Sequence, residues 1–276
     1  MSGSEASPVV RVERRKSTII LWIDHPPINI LSTEVLKSLV SQLGGASTDP
    51  DCRVIVLASS NSKAFAAGAD IRDMASMGPE EARRHGSLGQ RVTTQIEQVP
   101  VPVIAAVHGA CLGGGCEIAL ACDFILAADD ATFGQPEINL GIMPGWGGTQ
   151  RLPRRIGAVH ARRWILTGKP VSAALANEQG LVDELVPKAD LLARALGLAD
   201  ELSSKAPLAL AAAKYAIRRA LDNELASGLD FELDLWARLF GSPGQREGMN
   251  AFLEKRPPEF RTAPRRAEES QGFPWA

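Results

Sequence analysis

Apolar side chains recur along this chain in two rhythms, short unbroken runs and three-and-four spacings, and their alternation predicts an α/β layered core. Residues 17–23 form a β-rich run that must turn at Asp24-His25-Pro26-Pro27, because two prolines cannot continue a ladder. Ser32 or Thr33 then caps a helix on which Val35, Leu36, Leu39, Val40 and Leu43 share one face, with Gly44-Gly45 expected to end it. Residues 54–58 and 103–107 read as fully buried strands, the second bounded by Pro102 and Gly109. Residues 114–122 read as a short helix opening on glycines, and 124–127 return to strand. The stretch 59–78 is rich in small residues and is predicted to be irregular, with a functional loop extending to about residue 87. From about residue 203 the pattern turns purely helical, over 208–221, 225–240 and 245–255. Residues 265–276 are expected to form a poorly ordered tail that Phe273 and Trp275 could anchor. No repeat of fixed period is visible.

Composition narrows the class without naming an activity. With 276 residues, 45% apolar and 22% charged, the chain is long enough for one large domain and a smaller appendage. No apolar run is long enough to cross a bilayer. Met1-Ser2-Gly3-Ser4-Glu5-Ala6-Ser7-Pro8 lacks the regions of a signal peptide, so the expectation is a cytoplasmic protein with no membrane partner. Thirty basic and 32 acidic side chains interleave to a net charge of −2. Arg-Arg pairs such as Arg154/Arg155 and Arg218/Arg219 are dispersed, which indicates a solvated surface or intersubunit ion pairs rather than nucleic-acid binding. Cys52, Cys111, Cys116 and Cys122 form no C-x-x-C pair and read as reduced core thiols, so no metal site is expected.

The candidate chemistry lies in two glutamates set among glycines. Glu117 closes Leu112-Gly113-Gly114-Gly115-Cys116-Glu117, and Glu137 sits in Phe133-Gly134-Gln135-Pro136-Glu137. A carboxylate is costly to desolvate, so one placed in such a setting needs a partner or a chemical role. Two carboxyls facing one cavity would push their proton affinities apart and hold an acid beside a base. Singly, Glu117 could be a first-turn glutamate favoured by the helix dipole, and Glu137 a surface turn residue. Ala64-Phe65-Ala66-Ala67-Gly68-Ala69-Asp70 and the 109–115 glycines match neither a dinucleotide fingerprint nor a P-loop. Small residues at a helix start bare backbone N–H groups that suit a developing oxyanion, and they equally suit tight helix packing.

Five ordered motifs resemble the enoyl-CoA hydratase/isomerase (crotonase) superfamily: Ala64 to Ile71, Ala105-Ala106-Val107-His108-Gly109, Gly113 to Glu117, Gly134 to Glu137, and Pro144-Gly145-Trp146-Gly147-Gly148-Thr149-Gln150-Arg151-Leu152. The likeness spans about residues 10–262. It implies a spiral of ββα units over residues 1–202, carrying the active site. A C-terminal helical trimerisation region over 203–276 would then build a trimer or a dimer of trimers. It implies an acyl-CoA thioester substrate, with coenzyme A entering as part of the substrate and no tightly bound cofactor. It also implies oxyanion-hole amides at Ala69 and Gly114, and CoA contacts from Ala67, Ala69, Asp70, Ile71, Arg72 and Lys255. Retention of both glutamates favours hydration of a trans-2-enoyl-CoA in fatty acid or related acyl-CoA metabolism. Its rivals are an isomerase, another lyase of the superfamily acting on a branched or aromatic acyl-CoA, and a non-catalytic RNA-binding protein. Trp146 replaces a small residue common in the family and either packs in the core or narrows the acyl pocket. His108 is expected to make a structural hydrogen bond.

Overall fold

The computed structural model describes residues 8–260 and 273–274. Strands β1 (Val10–Arg15) and β2 (Thr18–Ile23) form an antiparallel hairpin, from Val10 opposite Ile23 to Arg15 opposite Thr18. The helix α1 (Thr33–Thr48) starts where Ser32 Oγ accepts from the Val35 amide at 3.3 Å. It does not end at Gly44-Gly45. Two glycines weaken a helix by about 1 kcal/mol each, but Leu43 and Ala46 bury against the core on either side and carry it another turn.

Three ββα units follow, unequal in length. The first is β3 (Val54–Ser59), β4 (Ala64–Ala66), the short α2 (Ile71–Met74) and the long α3 (Pro79–Gln98). The second is β5 (Val103–Val107), β6 (Ala110–Leu112) and α4 (Gly114–Ala121). The third is β7 (Phe124–Ala128), β8 (Thr132–Gly134), a 3-10 helix Pro136–Leu140, and α5 (Gly148–Thr167), broken at Gly157. The stretch 59–78 is mostly irregular, as expected, interrupted only by β4 and α2, whereas residues 79–87 belong to a helix rather than to a loop. Pro79 occupies its first turn, and the Glu81 carboxylate accepts from the Gly78 amide at 3.2 Å.

β9 (Val171–Ser172), α6 (Ala173–Glu178), β10 (Glu184–Val186) and α7 (Leu191–Ser203) close the core. The first strands of the units join a six-stranded sheet in the order β1-β2-β3-β5-β7-β10, parallel from β2 onward. The second strands form a small sheet, β4-β6-β8-β9. Period-two alternation sends Ile55 and Leu57 toward α1 and the small sheet, while Val54 and Val56 face Leu191, Ala195 and Ala199 of α7. Both faces of β3 are covered, which explains its unbroken apolar run. All four cysteines are free and buried, as expected.

Helices α8 (Pro207–Ala220), α9 (Leu225–Leu239) and α10 (Pro243–Leu253) follow, close to the sequence expectation. Lys214 ties α8 to the core. Its buried ammonium donates to Asp123 Oδ2 (2.7 Å) and to the carbonyls of Ile96 and Val101 (3.1 and 3.0 Å). Phe273 is buried with Leu208, Ala212 and Leu235. Trp275 and Ala276, residues 265–272 of the expected tail and the N-terminal seven residues lie outside the described residues.

Candidate active site

Glu117 sits in the first turn of α4, a helix on which every residue is buried. Bare glycines are required at its start. A Cβ on Gly114 would stand inside the Trp146 ring, and one on Gly115 would meet the Ala66 carbonyl. Gly113 adopts φ 52°, a backbone conformation that L side chains rarely take, and its Cβ would lie 2.8 Å from Glu137 Oε1.

The Glu117 carboxylate is 2% exposed. Its Oε1 accepts two backbone hydrogen bonds of 2.7 Å, from the amides of Trp146 and Gly148. Oε2 has no partner in the chain among the described residues. Burial pushes the proton affinity up, opposed by the backbone amides of Gly148, Trp146 and Gly147 and by the Arg151 charge.

Glu137 enters from the 3-10 helix that follows β8, with less cover and no comparable cradle. Burial pushes its carboxyl up to about 7, with a further upward push from the Glu117 charge and an opposing one from its own amide. Oriented as its hydrogen-bond network requires, the Gln135 amide donates to both Glu137 oxygens at 3.2 Å. Gln135 is fully buried and also packs against Gly148, one of the two amides that hold Glu117. The two acids thus approach the same glycine turns and feel each other's charge.

Ala69 and Gly114 stand on neighbouring loops. The Leu31 amide donates to the Gly68 carbonyl (2.8 Å) and fixes the first loop, while the Gly113 amide donates to the Gly134 carbonyl (2.9 Å) and fixes the second. A Cβ on Gly68 would lie 3.9 Å from the Gly114 nitrogen, so the loops touch. Among the described residues neither the Ala69 nor the Gly114 amide donates within the chain. Two such N–H groups at adjacent loops can stabilise an oxygen that gains negative charge.

The remaining candidates are peripheral. Ala67 and Asp70 are half-buried, and Ile71 is 55% exposed. Asp70 caps α2 by accepting from the Arg72 amide (2.9 Å), and the Arg72 guanidinium bonds the same carboxylate and holds it below its usual range. Lys255 follows α10, and no hydrogen bond or ion pair of this chain links it to the 67–72 loop among the described residues. His108 donates from Nε2 to the Asn61 carbonyl at 2.6 Å, a structural role. Trp146 is 5% exposed and wedged between Gly89 and Gly114, with the His85 ring 5.7 Å away. A cleft of about 790 Å³ borders its turn, walled by Thr93, Glu97, Leu120, Arg151 and Ile217 but by neither glutamate. Sequence reasoning missed the Gln135 side chain, two residues from Glu137, and it missed the amides of Trp146 and Gly148 and the Arg151–Glu97 pair, which act across 29 to 54 residues of chain.

Known proteins share this arrangement of elements. A crotonyl-CoA hydratase of Syntrophomonas wolfei is 39% identical over 250 residues, covering 90% of this chain and 96% of the relative. A probable enoyl-CoA hydratase of Mycobacterium bovis is 42% identical over 252 residues, covering 91% and 97%. The crystal structure of an enoyl-CoA hydratase from Bacillus anthracis superposes with a TM-score of 0.88 at 37% identity, covering 92% of this chain and 99% of that one. The sequence profile described as enoyl-CoA hydratase/isomerase matches residues 13–263, and the chain belongs to that family.

Proposed function

We propose that this protein hydrates trans-2-enoyl-CoA thioesters reversibly to 3-hydroxyacyl-CoA. The observation that carries the reading is the unlike treatment of two neighbouring carboxyls. Glu117 is held at one oxygen by two amides, while Glu137 keeps its proton up to about pH 7. In this reading the Ala69 and Gly114 N–H groups bond the thioester oxygen as it becomes an enolate. Glu117 Oε2 takes a proton from a water whose oxygen attacks the β-carbon. Glu137 gives its proton to the α-carbon, and exchange with solvent resets the pair. The relatives named for enoyl-CoA and crotonyl-CoA hydration support this choice.

The CoA moiety would lie along Ala67 to Arg72, with Lys255 reaching it from a neighbouring subunit. An apolar stripe on α9 supports self-association: Leu225, Leu229, Leu233 and Trp236 are 78, 53, 62 and 57% exposed. Among the described residues no helix is long and apolar enough to cross a membrane.

Incubating the protein with crotonyl-CoA and following the enoyl-thioester absorbance tests the activity. Steady loss of absorbance with formation of 3-hydroxybutyryl-CoA is expected. An unchanged signal would overturn the reading.

A further inference from the structure

We propose that Arg151, braced by Glu97, is a positioning residue for the reaction, gripping the turn whose amides hold the Glu117 carboxylate. The inference rests on the reading of Glu117 as the group that activates water.

The turn is held from one side by α3. Gln90, Thr93 and Glu97 recur at helical spacing, so one face of that helix presents all three. Gln90 Nε2 donates to the Gly145 carbonyl (2.9 Å), and Thr93 Oγ1 donates to the Trp146 carbonyl (3.0 Å). Glu97 receives the Arg151 guanidinium bidentately, at 2.7 and 2.8 Å. Arg151 Nη1 then donates to the same Trp146 carbonyl at 2.9 Å. Trp146 is therefore fixed at both ends of its backbone, by the guanidinium and the threonine at its carbonyl and by Glu117 at its amide. Gly147, at φ 117°, makes the grip possible, because a Cβ there would collide with Arg151 Nη1.

Both partners of the pair are about one-fifth exposed. A fork-shaped guanidinium on a carboxylate holds direction as well as charge. Rigid support of this kind matters because a displacement of about 1 Å at a catalytic group can cost about 10²-fold in rate. The grip also acts electrostatically, since the Arg151 charge favours ionised Glu117 against its burial. The other charged or titratable groups at this turn are Glu137 on the 3-10 helix, Glu97 paired with Arg151, His85 beside the Trp146 ring, Cys116 next to Glu117 on α4, and Arg218 of α8. Arg218 lies 3.9 Å from Glu97.

The test compares Arg151→Met, Arg151→Lys, Glu97→Gln and Glu117→Gln by pH-rate profiles with crotonyl-CoA, alongside thermal melts. Arg151→Met should lower kcat by about 10²-fold with KM changed less than about threefold. Its acidic limb should move to higher pH, because ionised Glu117 has lost a favourable charge. Arg151→Lys should return the limb toward its wild-type position and recover part of kcat. Glu97→Gln should lower kcat with the limb unmoved or shifted to lower pH, since it removes a negative neighbour. A merely structural pair would change the melting temperature of Arg151→Met and leave its limb in place, and that result would overturn the proposal. Wild-type kcat in Arg151→Met would do the same. Should Arg151→Met not fold, wild-type kcat in Glu97→Gln overturns it instead. Full rate in Glu117→Gln would sink the reading of Glu117 itself, whereas loss there beside a normal Arg151→Met sinks the clamp alone.

Discussion

Glu117 and Glu137 are the same side chain in two different solvents. One is sunk in a helix whose every neighbour is buried, and two amide dipoles stand in for the water it lost. The other is half-buried, with an amide side chain beside it, and burial raises its proton affinity to about 7. Burial raises the proton affinity of both acids, and around Glu117 fixed backbone amides oppose it. The number of fixed donors around a carboxylate decides its charge as much as burial does.

The largest effect should come from removing either acid. Glu117→Gln and Glu137→Gln are each expected to lower hydration by about 10²–10⁴-fold, while calorimetric titration with an acyl-CoA stays near wild type. A wild-type rate in either variant would break the contrast between the two. A smaller effect is expected from Gly114→Ala, whose methyl must displace the Trp146 ring. Overpacking of this kind costs about 1–3 kcal/mol, readable by urea unfolding, and the rate should fall as the N–H shifts. Unchanged stability would show that the ring yields without strain.

The smallest effect concerns stability and pH. Folded Glu137 keeps its proton to about pH 7, whereas the unfolded carboxyl loses it near the ordinary 4.5. The folded state therefore binds the extra proton between these values. Its contribution is full below 4.5 and is lost as pH rises through 7. Glu137→Gln should flatten that part of the melting-temperature profile and gain relative to wild type as pH rises. Parallel profiles for the two proteins would contradict the raised proton affinity.

Much of this was legible in the sequence, for physical reasons that also explain the failures. Strands buried on both faces announce themselves as apolar runs, and the glycine-glutamate motifs mark where backbone must be bare. Helix α3 was passed over because its buried face reads Gly89, Val92, Thr93, Ile96: the spacing is helical, but two of four positions are not hydrophobic. The same helix lengthens the first ββα unit, so the three units share no fixed period. At α1 the reverse error occurred, since tertiary packing of Leu43 and Ala46 outweighed local glycine propensity. Contacts such as Arg151 with Glu97 join residues far apart in the chain, and no local pattern encodes them.

Trp146 carries one last implication. Its indole fills space that Gly89 and Gly114 leave vacant, on two helices from different parts of the chain. Those three codons are bound to a common fate: a lineage that trims the tryptophan opens a void beneath the glycine turn at the start of α4, and one that enlarges either glycine must first surrender the ring. Drift at any single member is blocked unless its companions move with it.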